Sequence, residues 1–261
     1  MLQHPATPTM MQKTVPLIAH RGWSSRFPEN SLASIAAAIG AGADEIEIDI
    51  RVSEDGVPFL CHDRTVDRVS RESGDCGSIS MKRLKYADIQ FDAHMILPRQ
   101  GFPTLAEALT LFGEHCIFNL HIKEEFNLEP ILDFLLQSDQ LANQNHYIAA
   151  DADVLERASN RGISLSMCLV SNPVEPVNAF IRKAKQLSCD RVQFFHGNCT
   201  PDNIAEAQSR NLTTNYYYCD DLVCMDEMVS WGIDAILTND IGQMLAGVYA
   251  RNPNHSRGKT N

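Results

Sequence analysis

Short apolar runs alternate with amphipathic stretches along nearly the whole chain of 261 residues. Short apolar runs bounded by turn residues are typical of buried strands, and apolar residues three or four positions apart are typical of helices. Eight runs have the strand pattern, and they occupy residues 15–19, 45–52, 116–122, 146–149, 164–169, 191–195, 212–218 and 235–238. Since strands that alternate with helices run parallel, eight such units at this length predict an α/β fold, a closed (β/α)8 TIM barrel.

An open, doubly wound sheet is the alternative fold for the same alternation. It is disfavoured because no glycine-rich dinucleotide or phosphate-loop fingerprint follows a strand. The alternation breaks once, at about residues 64–103, where glycines and charges are scattered without a period. We therefore predict one barrel domain at 15–250 with a small insertion at about 64–103 after strand two, a flexible lead-in at 1–14 and a flexible tail at 251–261.

The composition of the chain limits which binding partners and which cellular compartment we expect for the protein. The formal net charge of −11 argues against nucleic acid as a partner, because phosphate backbones are bound by basic surfaces. No segment approaches the roughly 20 apolar residues of a membrane span, and the N-terminus lacks the pattern of an export signal. We expect a cytoplasmic protein whose 8 cysteines, none in a CxxC pair, are reduced core thiols. The sequence leaves the oligomeric state open.

The segment 17–63 concentrates titratable side chains. It holds His20 and His62, each followed directly by a charged residue. Between them, Glu47 and Asp49 lie two apart on one predicted strand, so both carboxylates point to the same side. Two converging carboxylates need a cation or a shared proton, and carboxylate oxygens suit Mg²⁺, Mn²⁺ or Ca²⁺. The segment therefore predicts a metal-assisted acid–base site.

The ends of the predicted strands carry further polar residues. His20 ends the first strand, His121 and Lys123 end the third, and His196 ends the sixth. In a TIM barrel the C-terminal ends of the strands carry the active site. Arg21 follows His20 and offers a planar fork for a phosphate or a carboxylate, although pairing with a nearby acid is the simpler role. The next residue is a glycine, which would allow the backbone to approach a ligand.

The same residues carry a resemblance to a known family. HRGWSSRFPENSLASI and EIEIDIRVSEDGVPFLCHDRTVDRVS contain, in order, an HRG, a PEN, an ExD pair, a DG turn with proline and an HD dipeptide. This series resembles the signature of the glycerophosphodiester phosphodiesterase family. Looser similarity continues at Pro103-Thr104-Leu105 and at GIDAILTND. The resemblance implies a (β/α)8 barrel with a small insertion after strand two.

The resemblance also implies roles for the residues of the motifs. His20 and His62 would be the catalytic acid–base pair, with His20 suggested as the base and His62 as the acid. Arg21 would bind the phosphate of the substrate. Glu47 and Asp49 would bind one divalent metal ion. The identity of that ion, Mg²⁺, Mn²⁺ or Ca²⁺, stays open.

Strand three departs from the family pattern. The family usually has Glu-x-Lys there, with the glutamate as third metal ligand, whereas this chain reads NLHIK, with Lys123 kept as a substrate-binding residue and His121 in place of the acid. In one interpretation His121 binds the metal through a neutral imidazole. In a second, Glu125 reaches into the site instead. In a third, metal binding and activity are weakened or lost.

The implied reaction is metal-dependent hydrolysis of a small glycerophosphodiester to sn-glycerol 3-phosphate and an alcohol. Two other functions remain as alternatives. One is a catalytically weakened or inactive homologue that binds a phosphodiester or a phosphorylated metabolite. The other is a lysophospholipase D-like enzyme, which would need an apolar groove beside the site. Aromatic residues for such a groove are Phe194, Phe195 and Tyr216–Tyr218.

Overall fold

Parallel strands and surrounding helices make up the computed structural model, which describes residues 15–90, 98–141, 145–171 and 176–251. The predicted lead-in at 1–14 and residues 252–261 of the predicted tail lie outside the described residues. The strands are β1 Leu17–His20, β2 Glu45–Val52, β3 Pro58–Leu60, β4 Ile117–Ile122, β5 Tyr147–Ala150, β6 Ser166–Val170, β7 Arg191–Phe194, β8 Thr213–Tyr216 and β9 Ala235–Thr238. The α-helices are α1 Leu32–Ala41, α2 Met81–Leu84, α3 Leu105–Phe112, α4 Glu129–Gln137, α5 Ala152–Asn160, α6 Val177–Gln186, α7 Pro201–Ser209, α8 Leu222–Ser230 and α9 Ile241–Arg251.

Eight of the strands close into a barrel. Their order is β1-β9-β8-β7-β6-β5-β4-β2, and pairing of β1 with β2 completes the ring. All pairings within the ring are parallel, while β3 pairs with β2 in antiparallel orientation. The predicted (β/α)8 TIM barrel is therefore confirmed.

Strand β2 shows how alternation divides the barrel into an outer and an inner side. Ile46, Ile48 and Ile50 are fully buried in the main apolar core, together with helix residues such as Leu105 and Leu132. Successive side chains on a strand point to opposite faces, so the acids between the isoleucines point into the lumen. The same rule places every second residue of the other seven barrel strands inside the barrel.

The insertion between β3 and α3 has a small core of its own. It contains a 3₁₀ turn at Cys76–Ser78 and the short helix α2. Its buried apolar residues are separate from the main core, and they include Val66, Ile79, Leu84 and Phe102, which pack in one cluster with Phe59 of β3. Residues 91–97 of the predicted insertion lie outside the described residues. This core packs the insertion beside β2, next to the C-terminal mouth of the barrel.

Two further expectations concern helices and thiols. Within the described ranges, no helix has the length and apolar character needed to cross a membrane. All eight cysteines are free, and six of them are buried while Cys116 and Cys224 are partly buried.

Candidate metal centre and active site

Three predicted metal ligands converge inside the barrel mouth. Glu47 and Asp49 lie on β2, and His121 lies on the neighbouring strand β4, where its Cα pairs with that of Asp49. His121 Nδ1 is 3.1 Å from Glu47 Oε1 and 3.5 Å from Asp49 Oδ1. One ligand atom from each residue lies within 4.8 Å of the others, and all three residues are buried. Parallel pairing of β2 with β4 thus brings together groups that are 74 residues apart.

The oxygens of Asp49 test whether this cluster fits a metal ion. Its Oδ2 accepts a hydrogen bond from Asn30 Nδ2 at 2.9 Å and lies 3.2 Å from Arg21 Nε. Its Oδ1 is buried and has no hydrogen-bond partner among the described residues. A buried carboxylate oxygen without a partner is costly, and a cation offsets that cost. Two carboxylate oxygens and one imidazole nitrogen are a suitable donor set for a divalent metal.

The protonation of the three ligands is set by burial and by nearby charges. Burial and the charge of Asp49 raise the pKa of Glu47 to about 7. Burial opposes ionisation of Asp49 as well, but Arg21, His121 and Lys123 outweigh it and hold the pKa of Asp49 below its usual range. Burial, aided by Lys123, lowers the pKa of His121 to about 3. His121 is therefore a neutral imidazole at neutral pH, which is the form that binds metals.

Glu125, the alternative third ligand, lies elsewhere. It is exposed and lines the wall of a cavity beside the cluster. The group of potential ligands contains His121 and not Glu125. The geometry therefore favours His121 as the residue that completes the donor set.

His20 is fixed by a hydrogen bond across the closure of the barrel. His20 Nδ1 lies 2.7 Å from Asn239 Oδ1, and Asn239 Nδ2 in turn donates to Asp220 Oδ2 at 2.8 Å. Since the amide oxygen can only accept, Nδ1 of His20 carries the proton and Nε2 is the basic nitrogen. Nε2 is 3.9 Å from Glu47 Oε2, so the basic atom points toward the metal cluster.

Two tyrosines hold the ring of His20 in place. Tyr218 stacks on it with the centroids 5.4 Å apart and an angle of 14° between the planes. Tyr217 meets it edge-on at 5.3 Å. Burial lowers the pKa of His20, and Glu47 partly offsets this effect. The imidazole is therefore held neutral and in one orientation.

His62 lies in the loop after β3, on the wall of the same cavity. Its Nδ1 is 2.6 Å from Asp63 Oδ1, and Asp63 Oδ2 accepts a hydrogen bond from Arg68 Nε at 2.5 Å. Burial lowers the pKa of His62, whereas the charge of Asp49 raises it. The side chain of His62 is 27% exposed, whereas that of His20 is 5% exposed, and Asp63 orients the His62 ring.

Arg21 is the first residue after β1, and it contacts the acids of the cluster as well as Glu29. Its backbone N–H donates to Glu47 Oε2 at 2.9 Å, and its Nη1 donates to Glu29 Oε1 at 2.9 Å. Gly22 has φ +76, and a Cβ there would lie 2.6 Å from the backbone carbon of Ser34. Close packing against α1 therefore requires the glycine of the HRG motif.

Lys123 completes the set of predicted residues. It lines the cavity of about 550 Å³ that also contacts His62 and His121. Phe195 and Tyr217 contribute aromatic walls to this cavity. By contrast, Phe194 and Tyr216 are buried in the main core outside the barrel. Only part of the predicted aromatic groove therefore faces the site.

A TIM barrel with a buried cluster of potential metal ligands beside two oriented histidines has features expected of a metal-dependent acid–base enzyme. Residues 20–243 match the model of the glycerophosphoryl diester phosphodiesterase family, and the chain belongs to that family. The resemblance seen in the sequence motifs is thereby confirmed, and with it the class of enzyme.

Similar proteins agree with this assignment. A glycerophosphodiester phosphodiesterase of Caldanaerobacter subterraneus subsp. tengcongensis is 26% identical over 235 residues, which cover 86% of this chain and 93% of that relative. Glycerophosphodiester phosphodiesterase GDPD4 of Arabidopsis thaliana is 28% identical over 232 residues, which cover 86% of this chain and 71% of the relative.

Solved structures support the fold. A phosphodiesterase of Oleispira antarctica superimposes with a TM-score of 0.79 at 20% identity, covering 89% of this chain and 96% of that chain. A glycerophosphodiester phosphodiesterase of Thermotoga maritima gives a TM-score of 0.73 at 17% identity, covering 89% and 98% respectively.

Proposed function

We propose that this protein hydrolyses glycerophosphodiesters to sn-glycerol 3-phosphate and an alcohol, with one divalent metal bound by Glu47, Asp49 and His121. The observation that carries the proposal is the unpartnered, buried Asp49 Oδ1 in a three-ligand cluster between two oriented histidines. The related Oleispira phosphodiesterase, whose structure is described as a complex with the product sn-glycerol-3-phosphate, supports the choice of product.

In the proposed mechanism the two histidines move the protons. His20 accepts, at Nε2, the proton of the attacking water as its oxygen bonds to phosphorus. If a hydroxyl of the substrate attacks instead, the product of that step is a cyclic phosphate, and a second step in which water opens the ring gives sn-glycerol 3-phosphate. His62 donates a proton from Nε2 to the alcohol as its bond to phosphorus breaks. Arg21 and Lys123 offset the negative charge of the phosphate. When bound, the metal adds Lewis-acid stabilisation of that charge.

The size of the barrier shows why the cations are needed. Enzymes typically lower the activation free energy of their reactions by roughly 8–23 kcal/mol, and phosphodiester hydrolysis requires a value near the upper end. A positioned acid or base supplies roughly 10²–10⁴-fold, so two histidines together provide about 5–11 kcal/mol. The remainder must come from positioning and from charge stabilisation at the phosphate.

We further propose that His121 shifts the metal preference. A site with two carboxylates and one imidazole carries one negative charge less than a site with three carboxylates. Imidazole suits Mn²⁺ and Zn²⁺, whereas Ca²⁺ prefers oxygen ligands. The site should therefore prefer Mn²⁺ or Zn²⁺ over Ca²⁺.

The cavity favours small substrates. Two of the five aromatic residues that could line an apolar groove, Phe194 and Tyr216, are packed in the core. Charged side chains such as Arg51, Lys123 and Asp151 occupy the walls beside the remaining aromatics. A long acyl chain would contact these charges, so a lysophospholipase D-like activity is less well supported than hydrolysis of deacylated diesters.

A metal-dependence assay tests the proposed function. Purified protein is incubated with glycerophosphocholine, glycerophosphoethanolamine and a chromogenic diester, with Mn²⁺ or with a chelator. We expect turnover with Mn²⁺, loss of turnover with chelator, and a fall of about 10²–10⁴-fold in kcat for His20→Ala and for His62→Ala. Binding of glycerol phosphate without turnover of any diester would instead identify a non-hydrolytic homologue.

A further inference from the structure

The insertion contributes a basic side chain, Arg68, to the mouth of the barrel. Its guanidinium lies between two carboxylates on different segments, Glu29 in the loop after β1 and Asp63 in the loop after β3. Nη1 and Nη2 donate to the two oxygens of Glu29 at 2.8 and 2.7 Å, and Nε donates to Asp63 Oδ2 at 2.5 Å. The paired contacts with Glu29 have the bidentate geometry that makes arginine–carboxylate bonds directional.

Each of these carboxylates also bonds a residue of the candidate site. Glu29 Oε1 accepts a hydrogen bond from Arg21 Nη1 at 2.9 Å. Asp63 Oδ1 lies 2.6 Å from His62 Nδ1. An ionised carboxylate only accepts, so His62 carries a proton on Nδ1 and exchanges protons with a substrate through Nε2.

The simplest alternative is that Arg68 forms an ordinary surface ion pair, which usually adds little to the stability of a fold. The geometry argues against that account. Although Arg68 is 48% exposed, its one planar group makes all three bonds and joins two carboxylates that each bond a residue of the candidate site. Arg83, on the same insertion, shows the ordinary case. It is 60% exposed and bonds one carboxylate, Glu72, at 2.6 Å.

We propose that Arg68 is a positioning residue, which holds His62 through Asp63 and Arg21 through Glu29 in the orientation that the reaction needs. The inference rests on the proposed function of the site. It also assigns a role to the insertion, which connects the loops after β1 and β3 and thereby fixes the distance between the two histidine-bearing segments.

Several elements set the charge on His62. Burial lowers its pKa. Asp49 on β2 and Asp63 raise it, while Arg21 after β1 and Lys123 at the end of β4 lower it. If Asp63 is released to solvent, a contribution that raises the pKa of His62 is lost, and the imidazole gives up its proton at a lower pH. Loss of the positive charge of Arg68 alone would raise the pKa, so a shift to lower pH in Arg68→Gln reports the release of Asp63.

The test compares Arg68→Gln with Asp63→Asn, with the double variant and with Arg83→Gln as the matched control. The first readout is the NMR titration of the His62 ring, identified by its absence in His62→Gln, with and without the diamagnetic ion Zn²⁺. The second is the pH profile of kcat/KM on a glycerophosphodiester, in which the basic limb reports the protonated acid.

We expect Arg68→Gln to lower kcat/KM about 10-fold, a part of what a positioned acid supplies. It should move the His62 midpoint and the basic limb to lower pH, in the same direction as Asp63→Asn. The double variant should shift the His62 midpoint and the basic limb no further than either single variant, because both changes remove the same contact between Arg68 and Asp63. Arg83→Gln should match the wild type, and Arg68→Lys, which keeps the charge but loses the fork, should be intermediate.

Two results would overturn the role of Arg68: a His62 midpoint in Arg68→Gln equal to that in Arg83→Gln, or shifts of Arg68→Gln and Asp63→Asn that add. If circular dichroism shows that Arg68→Gln does not fold, Arg68→Lys carries the same comparison. Wild-type protein that turns over no diester would contradict the proposed function, while the NMR titration would still decide the contact of Arg68 with His62 through Asp63.

Discussion

Asn239 Oδ1 lies 2.7 Å from His20 Nδ1, and this contact decides which nitrogen of His20 is basic. His20 ends β1 and Asn239 follows β9, the first and last strands of the barrel in the sequence, which are neighbours because the sheet closes into a ring. The tautomer of the proposed base is therefore a consequence of barrel closure.

Replacement of Asn239 should weaken catalysis without unfolding the protein. In Asn239→Ala the Nδ1 proton of His20 loses its acceptor, so the imidazole samples the wrong tautomer. We expect kcat to fall about 10–100-fold, which is a part of the roughly 10²–10⁴-fold that a positioned base supplies, with KM little changed. Steady-state kinetics measure this, and Asn160→Ala, at an exposed position on α5, is the control. An unchanged kcat in Asn239→Ala would show that the contact does not set the tautomer.

The donor set of the metal centre predicts a change of preference in His121 variants. His121→Ala should weaken binding of Mn²⁺ because one of three ligands is lost. His121→Glu should restore binding and favour Ca²⁺ and Mg²⁺, since all three donors are then oxygen. Isothermal titration calorimetry on metal-free protein measures both effects. Glu125→Gln is the control, and a large loss of affinity there would identify Glu125 as the third ligand.

Acidification should destabilise the fold through Glu29. Burial opposes ionisation of Glu29, but hydrogen bonds and charges of Arg68 and Arg21 outweigh it and lower its pKa below 4.5. A carboxylate with a depressed folded-state pKa adds stability above the unfolded value, and that stability is lost as the pH falls through the folded value. We expect the free energy of unfolding to drop as the pH falls below 4.5, the ordinary value for a glutamate, and to drop less in Glu29→Gln.

Urea unfolding at a series of pH values checks this expectation. Glu206→Gln is a suitable control, because Glu206 is 38% exposed and pairs with Arg210 on the surface of the barrel. If Glu29→Gln and the wild type lost equal stability on acidification, the ion pairs of Glu29 would not contribute to the folded state.

The glycine of the HRG motif should tolerate no side chain. A Cβ on Gly22 would lie 2.5 Å from Ser34 Oγ and 2.6 Å from the Ser34 backbone carbon, at φ +76. Gly162 has a similar φ, +79, but a Cβ there would meet no atom within 4 Å. We expect Gly162→Ala to lose about 1–2 kcal/mol from the left-handed backbone alone. Gly22→Ala should lose a further ~1–3 kcal/mol from overpacking, and thermal or urea unfolding compares the two.

The parts of the structure that follow a local period could be predicted from the sequence. The alternation of strand and helix patterns predicted the barrel, because each unit buries its own apolar face. The spacing of Glu47 and Asp49 predicted convergence, since a strand repeats every two residues. The same rule, applied at the end of β7, predicts that the neighbours Phe194 and Phe195 face opposite sides. Applied at the end of β8, it predicts the same for Tyr216 and Tyr217.

Other contacts depend on closure of the ring or on an irregular segment. Asn239 reaches His20 across 219 residues of sequence, and an asparagine at a strand end is ordinary turn chemistry. Arg68 lies in the insertion, where no period fixes the direction of a side chain. Its contacts with Glu29 and Asp63 follow from the fold of that segment, which local sequence does not specify.

Asp49 and His121 occupy paired positions on two neighbouring strands, held by the backbone ladder of β2 and β4. The side chain at position 121 can therefore change while the strands that present it remain as they are. In evolutionary terms, the third ligand of the proposed metal site and the architecture of the barrel are separable. Exchange of this one residue would change the proposed donor set and leave the scaffold around it as it is.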